Sequence, residues 1–218
     1  VANGLLSQSS PFFNPDMTTY SYDPDAAKAL LAEDGWTPGS DGICTNDDGD
    51  RLAFDLATTA GNQTREQIAL VIQSQLEQIC IAVTPKFVSL QTYNGELSRR
   101  REFTGMIMSS IRFSPSTSPA IALATDKIPN AENNFVGNNF SGYSNPDMDA
   151  ALEEFQQALD QDGQKAAWQK IQAKFAADLP MLPLYFYTEA YVTVPDLKGF
   201  RLDTYDPLMI WANDWYRD

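Results

Sequence analysis

The chain has 218 residues, with 15 Lys and Arg against 29 Asp and Glu, a formal net charge of −14, and no histidine. With 43% apolar residues it can bury roughly 70% of the surface it exposes when unfolded, so a folded core is expected rather than disorder. The missing histidine excludes a Ser-His-Asp triad, a Cys-His pair and an imidazole-held metal. The negative balance argues against a nucleic-acid partner, and no apolar run approaches the roughly 20 residues of a membrane helix.

The chain starts at Val1 without an initiating Met or a recognisable leader, so it reads as part of something longer. Residues 1–22 are Ser-rich and carry Pro11 and Pro15, which predicts a strap over the surface. Asp23-Pro24 predicts a capped helix start, Ala27, Leu30 and Leu31 an apolar face, and Gly35 its end. Residues 41–44 and 52–56 flank the polar turn 45–50 and read as a hairpin. Asn62 or Thr64 opens a second helix over 63–79, with Ile68, Ile72, Leu76 and Ile79 at helical spacing and Val71 beside them. A strand over 81–88 follows, placed at an edge or bulge by Pro85. Residues 90–99 predict a short helix. Residues 103–108 predict a strand, central because Met106-Ile107-Met108 is apolar on both faces.

Residues 109–145 form a long Ser-, Asn-, Pro- and Gly-rich stretch with interspersed aromatics, of the kind that usually carries function. Asn145-Pro146 and Asp160 predict two further helix starts. Met148, Leu152, Phe155 and Leu159 mark the apolar face of the first, and Trp168, Ile171, Phe175 and Leu179 that of the second. Residues 184–194 read as one or two strands before an aromatic tail. The order of elements is that of an α/β lobe with a mixed β-sheet flanked by helices.

Cys44 and Cys80 are the only cysteines. A strand–helix–strand crossover sets residues 52–58 and 81–88 parallel and brings both cysteines to one end of the sheet. They form either a disulfide, as an oxidising compartment allows, or two buried thiols.

Four segments resemble the C-terminal portion of bacterial extracellular solute-binding proteins of family 5, the peptide and oligopeptide class that serves ABC importers. They are residues 22–36 (YDPDAAKALLAEDGW), 72–83 (IQSQLEQICIAV), 139–149 (NFSGYSNPDMD), and 178–185 (DLPMLPLY) with 197–200 (LKGF). The resemblance implies the fold of a type II periplasmic-binding-protein lobe. Residues 1–190 would be the second, ligand-binding lobe, with the strap 1–22. Residues 191–218 would be a tail returning to a first lobe that is missing here, leaving Ile210, Trp211 and Trp215 more exposed than their chemistry favours. It implies no enzymatic activity and no cofactor. The solute, small molecule or peptide, would be held between lobes and handed to ABC permease subunits. The location would be extracytoplasmic, in a periplasm or as a cell-surface lipoprotein. A sensor or interaction module on the same fold is the alternative, and a hydrolase using Asp126 with Glu132 a weaker one.

The family's cleft loop often reads Gly-Trp-x-x-Asp, whose Asp binds a peptide's amino group. Here the stretch is Ser110, Ile111, Arg112, Phe113, Ser114, with Ile111 in the Trp position and Ser114 in the Asp position. A hydroxyl replaces the carboxylate that an ammonium wants, and Arg112 adds positive charge if it points inward. The stretch therefore fits a carboxylate-bearing, neutral polar or sugar-like solute better than a free-amine peptide; otherwise Arg112 faces solvent and the ligand is read elsewhere. Asn138, Asn139 and Tyr143 lie near a further cleft segment, where amides and aromatics suit polar organic ligands or serve as loop turns. No metal site is expected. The acidic turn 46–50 fails the spacing of a calcium loop, and Arg99-Arg100-Arg101 reads as a solvated helix end.

Overall fold

Asp23 caps the first helix, α1 (Pro24–Glu33): its side chain accepts hydrogen bonds from the amides of Asp25 and Ala26. The computed structural model describes residues 2–187, 190–201 and 212–217. The chain divides into two units, one of Tyr20–Ile111 with Thr125–Tyr143, the other of Val1–Thr19, Arg112–Ala124 and Ser144–Asp218.

The first unit contains α1, the short antiparallel pair β1 (Thr37–Pro38) and β2 (Cys44–Thr45), and a three-stranded parallel sheet. That sheet holds β3 (Ala53–Thr59), β4 (Ala82–Val88) and β5 (Gly105–Ile107) in the order β4-β3-β5. Helix α2 (Gln63–Glu77) makes the crossover from β3 to β4 and is capped by Asn62, whose side chain accepts from the Arg65 amide. Ile68, Ile72 and Leu76 pack on a core of Leu56, Ala69, Val83 and Met108. Leu56, Ala57 and Thr58, on alternate faces of β3, are all buried, so both faces of the middle strand are covered. The Thr58 hydroxyl donates to the Met108 carbonyl at 3.0 Å.

Some expectations are corrected here. Strand β5 is at an edge, not the centre, and Met106 is 37% exposed. Helix α1 buries none of its residues, and Val71 on α2 faces outward. The stretches around the acidic turn meet antiparallel, but only through the single bridge Thr45 to Arg51, while β2 pairs with β1 along its other edge. The sheet is parallel throughout, the antiparallel pairs forming separate ribbons. Pro85 does lie in an edge strand. Cys44 and Cys80 are joined in a disulfide, Cα atoms 5.1 Å apart, and the Cys44 amide donates to the Cys80 carbonyl at 2.8 Å. After β4, α3 (Leu90–Thr92) runs into a π-helical turn, Tyr93–Arg99.

The second unit is built on α4 (Ala120–Leu123), α5 (Pro146–Gln157) and α6 (Gln161–Asp178). Asn145 and Asp160 cap α5 and α6. Met148, Leu152 and Phe155 of α5, with Trp168, Ile171 and Phe175 of α6, are buried. The Phe155 and Trp168 rings meet edge-on at 6.0 Å, and the Trp168 indole N–H donates to the Pro115 carbonyl at 3.0 Å. Gln172, fully buried, ties down the N-terminal strap: its Nε2 donates to the Phe12 carbonyl at 2.8 Å, and its Oε1 accepts from the Asn14 amide at 3.2 Å. Leu159 is fully exposed, because α5 stops at Gln157 before its stripe reaches that residue. The described residues among 184–194 form no strand, although the Leu184 carbonyl accepts from the Ala2 amide at 3.1 Å. Strands β6 (Leu197–Lys198) and β7 (Tyr216–Arg217) pair antiparallel. Trp215 is half-buried, its ring 5.4 Å from Phe200, where more exposure is expected; Ile210 and Trp211 lie outside the described residues.

Candidate functional site

In parallel sheets ligands collect beyond the carboxyl ends of strands, where helix N-termini also point. Here β3 ends at Thr59, α2 begins at Gln63, and Ser109 and Ser110 follow β5. Arg65, in the first turn of α2, spans the ends of these two neighbouring strands. Its guanidinium donates from Nη1 to the Thr59 hydroxyl at 3.0 Å and from Nη2 to the Ser110 hydroxyl at 3.3 Å. Its Nε is buried and has no hydrogen-bond partner. Among the described residues no carboxylate forms an ion pair with Arg65. In a chain with almost twice as many acids as bases, a half-buried guanidinium held only by hydroxyls is a ready partner for an anion. Tyr93 is buried in the same neighbourhood; burial pushes its phenol above the usual 10.0, while the Ser109 hydroxyl and the Arg65 charge oppose that rise.

The structure separates the residues singled out in the sequence. Ser110 and Ile111 lie in the first unit, both exposed, and the chain passes to the second unit after Ile111. Arg112, exposed, and Phe113 and Ser114, half-buried, belong to that second unit. The Ser114 hydroxyl accepts from the Ser116 amide at 3.3 Å and shares a hydrogen bond with its hydroxyl, which forms a local turn. In the first unit Asn138 is exposed, whereas Asn139 is fully buried. The Asn139 amide organises its own loop: Oδ1 accepts from the Tyr143 amide at 3.2 Å and the Ser141 hydroxyl at 3.0 Å, and Nδ2 donates to the Tyr143 carbonyl at 2.8 Å. Asn139 and Tyr143 thus meet directly, as do Arg65 and Ser110. Asp126 pairs with its neighbour Lys127, and Glu132 is exposed.

Arg65 is not among the residues singled out in the sequence. The signal available was its place one turn after a strand that ends in two threonines, Thr58-Thr59, before the breaker Gly61. The sequence matches the profile of bacterial extracellular solute-binding proteins, family 5, middle, over residues 1–132. The chain belongs to this family. Within family 5 it is 28% identical over 190 residues to the oligopeptide-binding protein AppA of Bacillus subtilis, a match covering 85% of this chain and 33% of AppA. The chain therefore spans about a third of that relative. An oligopeptide-binding protein from Thermus thermophilus, solved with a pentapeptide, superposes with a TM-score of 0.81 at 29% identity, over 92% of this chain and 35% of that one. AppA solved with a nonapeptide gives a TM-score of 0.74 over 100% of this chain and 42% of its own, and at 24% identity it speaks for the fold. The fold is that of the type II periplasmic binding proteins.

Proposed function

We propose that this chain captures a small solute, of peptide size and carrying a carboxylate, for delivery by an ABC importer. Family membership over residues 1–132 supports solute capture. The observation that carries the chemical class is Arg65, a half-buried guanidinium whose Nη1 and Nη2 reach hydroxyls at two adjacent strand ends. A carboxylate accepts from such a fork through two oxygens. Ser114 in place of the family's Asp weakens the case for anchoring a free ammonium and favours the acidic end of the solute.

The mechanism in this reading is binding without bond-making. A solute holds a closed state only through contacts that the open state lacks, so walls on both sides of a cleft must touch it. In this reading the segments that carry Ser110 and Ile111, and Asn138, Asn139 and Tyr143, supply solute contacts from the first unit. Permease subunits receive the cargo. The Cys44–Cys80 disulfide fits an extracytoplasmic location.

A titration followed by NMR tests this on the 218-residue chain, with an N-acetylated pentapeptide bearing a free C-terminal carboxylate and the same peptide as its C-terminal amide. The acid should shift the resonances of Arg65, Tyr93 and Ser110, the amide should bind at least about tenfold more weakly, and Arg65→Gln should erase the difference. Equal binding of the two peptides, or no shift at millimolar peptide, refutes the proposal.

A further inference from the structure

Arg99 and Arg100 are the solvated helix end that the sequence suggests, both exposed at the close of the π-helical turn, and Arg101 departs from that reading. The Arg100 guanidinium lies 5.8 Å from the centre of the Phe135 ring. Arg101 is half-buried, and its backbone sits in the left-handed region at φ 57°, which a non-glycine residue adopts only when its surroundings demand it. Its Nε donates to the Phe140 carbonyl at 3.1 Å and its Nη2 to the Ser141 carbonyl at 3.4 Å. The next residue, Gly142, has φ +73°, and a Cβ there would overlap the Arg101 guanidinium. The planar fork thus fills the space above Gly142 and satisfies two successive carbonyls of a segment that has neither helix nor strand.

Two devices therefore shape the loop 137–143. Asn139 organises it from within. Arg101, almost forty residues upstream, holds it from outside. Gly137 completes the fit: at φ +124° it passes so close to the Lys127 carbonyl that a Cβ would collide, and the Asn139 amide donates to that same carbonyl at 3.1 Å.

We infer that Arg101 is a positioning residue for the solute site: its guanidinium clamps the loop that carries Asn138, Asn139 and Tyr143 in the conformation that meets the solute. The inference rests on the proposed solute-binding role only in its last step. A lysine cannot replace the clamp, because an ammonium is a point charge and does not bridge two carbonyls in a fixed plane.

Hydrogen exchange on the 218-residue chain tests the clamp without any ligand. In Arg101→Met and Arg101→Lys, the amides of Gly142 and Tyr143, which donate to the Asn139 carbonyl and side chain, should exchange about tenfold faster or more, as loss of a charged hydrogen bond implies. The amides of β3 should keep their rates. Gly142→Ala should have the same effect by displacing the guanidinium from the other side, so a fold defect in one variant leaves the other decisive. Unchanged loop rates, or equal acceleration in β3, overturn the inference. The acetylated pentapeptide then separates the two steps. Looser loop amides with weaker peptide binding support the whole inference, and looser amides with undiminished binding overturn the link to solute. If the unsubstituted chain binds no peptide, the solute-binding reading and that link fall together, and the exchange rates alone decide whether Arg101 clamps the loop.

Discussion

Replacing both Cys44 and Cys80 by alanine should destabilise the first unit by about 4 kcal/mol. The value follows from loop closure: the bridge joins residues 36 apart, and the chain-entropy relation for a loop of that length gives about 13 cal/mol/K of denatured-state entropy removed, or about 4 kcal/mol at 25 °C. The fold adds a reason to expect that the full value is realised. The bridge is backed by the hydrogen bond from the Cys44 amide to the Cys80 carbonyl, and Cys44 itself is 1% exposed, so the native geometry is held independently of the sulfur atoms. For a unit of about a hundred residues, 4 kcal/mol lowers the melting temperature by on the order of 15 °C. Differential scanning calorimetry of the oxidised protein and the double variant measures it. The same experiment locates the effect, because α5 and α6 lie in the other unit and should melt as before. A loss below about 1 kcal/mol would refute the entropic reasoning, and two free thiols in denatured, unreduced protein would remove its premise.

Two further perturbations probe the packing beside the site and in the second unit. Gln172→Leu keeps much of the side-chain volume but leaves the Phe12 carbonyl and Asn14 amide without their buried partner; it should cost roughly 1–3 kcal/mol in urea unfolding, and a neutral result would mean that water replaces the amide. The Tyr93 phenol, raised above 10.0 by burial, contributes stability that is complete below the unfolded value and lost as pH rises through the folded one. Unfolding curves taken on the alkaline side should therefore fall with pH in the unsubstituted protein and flatten in Tyr93→Phe; parallel falls would show that the phenol is not the group responsible.

Local chemistry was legible in the sequence where it is self-contained. Asp23, Asn62, Asn145 and Asp160 each cap a helix, because a short polar side chain needs only its own next few amides to do so. Ile68, Ile72 and Leu76 find the sheet because α2 has a parallel crossover to complete. Patterns that require a partner were less secure. Leu30 lies on an apolar stripe, yet α1 buries nothing among the described residues, since periodicity states which face is available and not what covers it. Residues 184–194 have strand composition, but a strand needs a ladder of backbone hydrogen bonds, and the described part forms no strand. Met106 belongs to an apolar run and still lies on an edge, because three strands leave only one middle place and β3 occupies it. The roles of Arg65 and Arg101 were hidden for the same reason: their partners are hydroxyls and carbonyls up to 45 residues away, which neither a lone arginine nor a basic run points to.

A net charge of −14 and the proposed preference for an anionic group are compatible because the two act over different distances. Nucleic-acid affinity is assembled from many exposed phosphate contacts, so an acidic surface opposes it at every one. A single carboxylate needs a single cation shielded from water. At 4 Å and an effective dielectric constant near 20, that attraction is on the order of 4 kcal/mol before desolvation is subtracted, whereas exposed acids more than about 8 Å away are screened at physiological salt. What decides the matter is whether the cation is already neutralised. Lys170 and Lys174 are, by Glu154, Asp147 and Asp178 on α5 and α6. Among the described residues Arg65 is held by hydroxyls, which orient its guanidinium without cancelling its charge.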